Sequence, residues 1–399
     1  MPPAATSAPA STLSFHELLV RWGPAYLERW GSTMPARQRE VLAKLLSCRT
    51  PRRGGELWLC PEGHHYQYVY HSCNDRHCPQ CGGTEAQEWL ERQSKRLLLP
   101  VDYFLITFTL PEPLRRWVRS HPKLGYDRLF AASAQALQDL ARNPQRLGAQ
   151  LGFMGVLHTS SRTLIYHPHI HYLVPGGGLS LDDCQWINSK GKFLLPHVPL
   201  AEHFRNLFLE GLEAQVPELR SELPDKVWKQ RWVVNLKAVG NGEHALRYLG
   251  RYVFHTATGN RRIPLLPDGR LRWRYRDSQT HQVQHLDLEP NELIRRFLQH
   301  VLPAGYSRVR YFGWFAPAAR QKANRVRALL GQRPQLTPAE QTAWQLHEEN
   351  DELLAAEKGT LQRPPRLCPH CQLPLIQHAT WLPGRRMPLP PILRGRAPP

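Results

Sequence analysis

The chain has 399 residues, with 52 Lys and Arg against 33 Asp and Glu, a formal net charge of +19 and a pI near 9.9. Its 41% of apolar residues can build a core, the length suits about two or three domains, and no stretch approaches the roughly 18 apolar residues of a membrane span. The opening MPPAATSAPASTLSF has neither the basic start nor the apolar centre of a secretory signal, so a cytoplasmic protein is expected, and a positive surplus this large favours a polyanionic partner.

Residues 1–13 read as a disordered tail. Residues 14–48 read as helical, because Leu18, Leu19, Trp22 and Tyr26 recur near the helical period. Pro24 is expected to kink or divide the first helix, and ARQREVLAKLLSC forms a second. Residues 56–83 are rich in Cys and His with short strand-like pieces, ELWLC and HYQYVY, and the helix TEAQEWLERQSKRLL leads out of them. Near residue 100 the texture changes. VDYFLITFTLP is a strand stopped by proline, two helices follow at about 112–120 and 125–143, and GFMGVLHTS with RTLIYHPHIHYLVP predicts an antiparallel hairpin. Residues 200–214 are helical, RWVVNLKAV is a strand, GEHALRYLGRYVFHTA a helix, RLRWRYRDS with HQVQHLDL a further hairpin, PNELIRRFLQHVLP a helix and SRVRYFGWF a strand. Strands and helices interleaved in this way predict an α+β fold around a central, mainly antiparallel sheet. The expected division is 1–13, a helical and cysteine-rich module at 14–98, a mixed domain at 99–316, and C-terminal helices with a basic Pro/Arg-rich tail at 317–399. After Glu357 no acidic residue follows, while Arg363, Arg366, Arg385, Arg386, Arg394 and Arg396 accumulate.

Without a secretion signal the eight cysteines read as metal ligands rather than disulfides. Cys60, Cys73, Cys78 and Cys81 form a zinc-type set, with His64 as a substitute ligand, and the short C-x-x-C bite makes Cys78 and Cys81 the firmest pair. Cys368 and Cys371 are half of a site, with His370 or His378 nearby. Cys48 and Cys184 read as buried or incidental.

In YHPHIHYLVPGGG, alternation places His167, His169 and His171 on one face of a strand. Imidazoles suit a divalent ion. The third ligand beside His169 and His171 is His158, if the hairpin register carries it there, or His167, whose neighbour Pro168 weakens the strand. In RYLGRY, Tyr248 and Tyr252 stand four apart and share a helix face, and Arg247 and Arg251 repeat that spacing. A metal beside a phosphodiester helps a phenol, with its pKa of about 10, to attack phosphorus. The resulting phosphotyrosine keeps the bond energy for rejoining, and no G-x-x-x-x-G-K-[ST] phosphate loop is present. Two tyrosines allow one link per exchanged strand. Aromatics among basic residues, in RLRWRYRD and RYFGWF, suit stacking on unpaired bases, with alternate positions free to serve the core. The run Gly176, Gly177, Gly178 is expected to let the chain turn close to its ligand.

SCNDRHCPQC, FTLP, LHTSSRTLIYHPHIHYLVPGGG, YLGRY and RRFLQHVLPAGYSRVRYFG, spread over about residues 57–313, together resemble the two-tyrosine HUH rolling-circle transposases of the insertion-sequence-91 class. Each motif is weak alone; their order, cysteine module then histidine strand then tyrosine helix, is specific. The resemblance implies an HUH endonuclease domain, His169 and His171 as ligands of Mg²⁺ or Mn²⁺, Tyr248 and Tyr252 as nucleophiles, and single-stranded DNA at insertion-sequence ends as substrate, met at the bacterial nucleoid. Arg247 and Arg251 are the expected DNA contacts, and the zinc module is expected to help recognise an element end. The family usually carries a second cysteine near position 63, where this chain has Gly63. A plasmid-type replication initiator or relaxase shares the same chemistry, and a zinc-containing DNA-binding regulator is the non-catalytic alternative.

Overall fold

The computed structural model describes residues 11–81, 83–254, 258–277, 280–332 and 365–390, and within these the side chains of 83–85, 251, 252 and 254 are left undescribed. In chain order the elements that matter are helix α1 (Phe15–Trp30), α2 (Ala36–Leu46), strands β1 (Gly55–Leu59) and β2 (Tyr66–Tyr70), α3 (Gly83–Leu97), β3 (Tyr103–Thr109), α4 (Glu112–Ser120), α5 (Pro122–Arg142), β4 (Gly152–Ser160), β5 (Tyr166–Pro175), α6 (His197–Glu213), β6 (Val233–Ala238), α7 (Glu243–Phe254), β7 (Leu271–Arg276), β8 (Val283–Leu288), α8 (Pro290–Leu298), β9 (Val309–Gly313), α9 (Arg320–Leu329) and β10 (Ile376–Trp381). The second helix expected after residue 330 lies outside the described residues.

The α+β expectation holds. The central sheet has the order β6-β3-β5-β4-β9, every neighbouring pair antiparallel. Strand period sorts its side chains between two cores. Ile170, Tyr172 and Val174 of β5, with Phe104, Ile106 and Phe108 of β3, bury against Phe130 of α5 and Phe204 of α6. On the other face, Leu173, Met154, Val156 and Tyr103 meet Leu97 of α3 and Ala245, Leu246 and Leu249 of α7. This second face leads outward along β5 from Leu173 to His171, His169 and His167, so the histidines sit where the covered core gives way to an open cleft.

Helix α1 opens with a capping box between Ser14 and Glu17 and runs unbroken through Pro24. The kink or division expected there does not divide it; Phe15, Leu18, Leu19 and Tyr26 are buried on both sides of the proline, and that burial offsets one lost backbone hydrogen bond. These residues share a core with Leu271 and Trp273 of β7 and with Leu293, Ile294 and Phe297 of α8. Of the tail expected at 1–13, residues 1–10 lie outside the described residues, and Thr12–Ser14 is ordered, pairing antiparallel with Arg262–Pro264. The glycine run also differs from expectation. Gly176, Gly177 and Gly178 are buried, and a Cβ on Gly177 would lie 2.5 Å from the Ile187 carbonyl and one on Gly178 2.6 Å from that of Gln150. They admit close backbone packing of a small side sheet instead of forming an open turn. Among the described residues, no helix is long and apolar enough to cross a membrane.

His300, fully buried behind the β4–β5 hairpin, bridges Thr159 Oγ1 (3.2 Å) and the Leu164 carbonyl (3.2 Å). Burial pushes its pKa down to about 4. The unfolded chain, titrating near the usual 6.5, takes up a proton that the folded chain refuses. Stability is therefore full above about pH 6.5 and falls as pH drops towards 4, by on the order of 3 kcal/mol from this one group. Denaturant midpoints at about pH 7 and about pH 4.5 are expected to show this loss, and His300→Gln to show a smaller one.

Candidate active site and metal centres

The β4–β5 register places His158 directly opposite His169 and Val156 opposite His171. One sheet face thereby gathers three imidazoles from two strands. Ring centroids are 5.3 Å apart for His158–His169, 4.5 Å for His158–His171 and 4.8 Å for His169–His171. One ring nitrogen from each lies within 4.8 Å of the others. His167 neighbours His169 at 5.2 Å but stands outside this trio, one step nearer the cleft mouth. His171 Nδ1 is 2.8 Å from Thr107 Oγ1 on β3, and His169 Nδ1–H donates to the His167 carbonyl at 2.7 Å. Such contacts orient the His169 and His171 rings with Nδ1 engaged, so that Nε2 is the nitrogen each could offer a metal. Burial lowers the pKa of all three: His169 falls to about 4, while His158 and His171 go well below the usual value, the neighbouring imidazoles adding to the effect. At neutral pH they are uncharged, the form that binds a metal. Three converging neutral nitrogens fit a divalent cation.

Helix α7 crosses this face. Its Ala245, Leu246 and Leu249 pack on the sheet, and Tyr248 lies over the imidazoles, 5.9 Å from His171 and 6.3 Å from His158 between centroids, with 37% of its surface exposed. Tyr252 and Arg251 belong to the same helix, but their side chains lie outside the described residues. Arg247 is exposed and pairs with Glu243 at 2.7 Å; it does not line the cleft. The cleft, about 750 Å³, runs from His158, His167, His169, His171 and Tyr248 to Arg162, Arg261, Arg274, Tyr275 and Arg276. Its far wall is thus the basic and aromatic strand β7 singled out in the sequence. Alternation on β7 buries Trp273 beneath Arg261, whose guanidinium carbon is 3.8 Å from the indole centroid, and leaves Arg274 and Arg276 facing solvent. RYFGWF behaves differently: Trp314 and Phe315 are core residues, turned away from any ligand.

The cysteines fall into two groups, where the sequence predicted one complete set. Cys48, Cys73, Cys78 and Cys81 bring their Sγ atoms together, with separations of 3.6 Å for Cys48–Cys81, 3.8 Å for Cys73–Cys81 and 3.5 Å for Cys48–Cys78. A tetrahedron of thiolates about 2.3 Å from zinc has edges of about 3.8 Å, so the set fits that ion. Cys60, expected in this tetrad, is elsewhere: the β1–β2 hairpin carries it and His64 to Cys368 and Cys371. Cys48, read as buried or incidental, is buried and takes its place because the end of α2 packs beside the Cys73–Cys81 loop. The loop is pinned further by Asp75 and His77. Asp75 accepts from the His77 backbone N–H and ring Nδ1, and His77 Nε2 accepts from the Leu302 N–H. All eight cysteines are free, and Cys184 alone among them is exposed.

The missed residues had faint signals. Cys48 is 25 positions before Cys73 and follows a helix, so no local spacing marks it. Arg162 sits within the quoted hairpin turn, and Arg261 precedes β7 with nothing in the local pattern to tie it to the histidines.

Two family models match parts of the chain. Residues 152–323 match a family model described as "Putative transposase", and residues 18–110 match one described as "Transposase zinc-binding domain". The chain is 36% identical over 374 residues to "Putative transposase y4qJ" of Sinorhizobium fredii, covering 89% of this chain and 92% of that one. It is 29% identical over 300 residues to the "Transposase for insertion sequence element IS801" of Pseudomonas savastanoi pv. phaseolicola, covering 69% and 70%. No solved structure matches. The chain therefore belongs to the IS91-like family of DNA transposases and carries the family's N-terminal zinc-binding domain.

Proposed function

We propose that the protein is an HUH-type single-strand endonuclease and strand transferase that nicks and rejoins DNA at insertion-sequence ends through a 5′-phosphotyrosine, by rolling-circle transposition. The observation that carries this is Tyr248 lying over the trio of His158, His169 and His171 at the end of a basic cleft. The trio would hold Mg²⁺ or Mn²⁺, which when bound polarises the scissile phosphate. The Tyr248 phenol oxygen bonds to phosphorus as the P–O3′ bond breaks; the phenol proton passes to solvent and the departing 3′ oxygen gains one. Resolution reverses this balance with a second 3′-hydroxyl. Tyr252, about one turn or roughly 6 Å further along α7, takes the second strand. Arg162, Arg274 and Arg276 attract the backbone, and Tyr275 offers a face to an unpaired base. Arg247 and Arg251 remain phosphate contacts in this reading, Arg247 by exchanging Glu243, an exposed partner worth little. In the reading adopted, residues 14–98 help to recognise the element end and 99–316 perform the chemistry. Incubation with labelled single-stranded element ends and Mn²⁺ should yield a covalent adduct; a nick without one would contradict the proposal.

Zinc in this reading is structural and held by Cys48, Cys73, Cys78 and Cys81. Cys48→Ser and Cys78→Ser should each lose that ion and open residues 56–81 to protease, since metal affinity here is folding energy. Cys48 is the discriminating position: unchanged zinc content in Cys48→Ser would return the fourth ligand to Cys60.

A further inference from the structure

We propose that Cys60, His64, Cys368 and Cys371 hold a second structural zinc ion, which fastens the C-terminal strand to the N-terminal hairpin. The matched zinc-binding region stops at residue 110, so half of this ligand set lies far beyond it. Cys60 Sγ is 3.5 Å from Cys371 Sγ and 3.9 Å from His64 Nδ1, and the four donor atoms all lie within 4.8 Å of one another. Three thiolates and one imidazole around zinc give edges of about 3.8 Å for sulfur to sulfur and about 3.6 Å for sulfur to nitrogen. A disulfide would need sulfurs about 2.05 Å apart, and none is formed.

The backbone around these donors is built for the purpose. Both halves begin Cys-Pro and then reverse direction. In the first, the Gly63 N–H donates to the Cys60 carbonyl (2.9 Å) and the Cys60 N–H to the His65 carbonyl (2.8 Å). In the second, the Gln372 N–H donates to the Cys368 carbonyl (2.9 Å) and the Cys368 N–H to the Leu373 carbonyl (2.8 Å). Each reversal uses a left-handed residue, Gly63 at φ 71° and Gln372 at φ 61°. Glutamine adopts that conformation only where its surroundings hold it. Strand β10 then pairs antiparallel along β1, from Ile376 opposite Leu59 to Trp381 opposite Gly55. Trp381 meets Tyr68 and Tyr70 edge-on at 5.8 and 6.0 Å, and the Tyr68 hydroxyl donates to the Pro388 carbonyl at 2.7 Å.

The apolar cluster at this junction is small: Cys60, Cys368 and Leu375, with Trp58 and Cys371 half-buried against it. Such a core needs a staple. A metal here closes a contact between residues 311 apart in the chain.

The test uses the full-length protein. Metal analysis should find one zinc fewer per chain in Cys368→Ser/Cys371→Ser than in the wild type, with the Cys48 set still loaded; His64→Cys should keep the ion and His64→Ala should lose it. A reading that does not rely on any variant folding is cysteine labelling of the wild type. Cys184 is exposed and outside both clusters, whereas Cys371 is only half-buried. Cys371 should label at least about tenfold more slowly than Cys184, accelerate by a similar factor with chelator and regain protection when zinc is restored. Labelling of Cys371 that ignores chelator, unchanged zinc content in the double serine variant, or a Cys60–Cys371 disulfide would overturn the proposal.

Discussion

Replacing His169 and His171 together by Ala should lower covalent adduct formation on a single-stranded element end by about a thousandfold or more, the scale of a lost electrostatic or metal contribution at the phosphate. His158→Ala alone has an effect of the same order, because its nitrogen completes the trio and its ring faces both others. His167→Ala, outside the trio, costs about tenfold or less. DNA affinity changes little in all of them. In the proposed function affinity would come from the charge surplus and the arginines of the cleft, and the histidines at neutral pH carry no charge to lose. Filter binding and gel-shifted adduct, measured on the same preparations over a Mn²⁺ titration, separate the two effects. Undiminished nicking by the His169→Ala/His171→Ala protein would remove the metal from this site.

Tyr248→Phe is expected to abolish the adduct at the first nick, to the background of the assay, without unfolding the protein. The ring contacts with His158 and His171 survive the change, and the hydroxyl of a side chain 37% exposed contributes at most about 0.5–1.5 kcal/mol. Tyr252→Phe keeps the first adduct and blocks completed strand transfer, if the two tyrosines act in sequence. Were they interchangeable, either single variant would nick and only the double variant would be dead. If Tyr248 merely packs over the histidines, a small loss of stability with full adduct formation is the expected pattern instead.

The histidine cleft was legible because its signals are local. Period two on β5 fixes His169 and His171 to one face, a short polar turn sets the hairpin, and the register follows from burying Ile170, Tyr172 and Val174 on the opposite side. The sequence left His158 and His167 open as the third member, and it is the register that sets His158 opposite His169. The cysteine grouping was not legible, because it is decided by tertiary packing. Cys48 reaches Cys78 only through the docking of α2, and Cys60 leaves the expected set because β10 returns from the far end of the chain to pair with β1. Spacing within residues 60–81 made one tetrad look complete when its members serve two clusters. Glycines misled for a related reason: three in a row suggest a free turn, while here each accommodates a backbone or side chain pressed against it. Pro24 shows the same override of a local rule by burial along α1.

In the proposed mechanism a phenol on α7 becomes the covalent partner of DNA. Its most direct measurement is mass spectrometry of the peptide that carries the trapped nucleotide after nuclease and protease digestion of the adduct. A 5′-phosphotyrosyl residue is expected at Tyr248 in the wild type and none in the Tyr248→Phe/Tyr252→Phe protein. An adduct that persists in the double variant, or one mapped to a residue off α7, would contradict it.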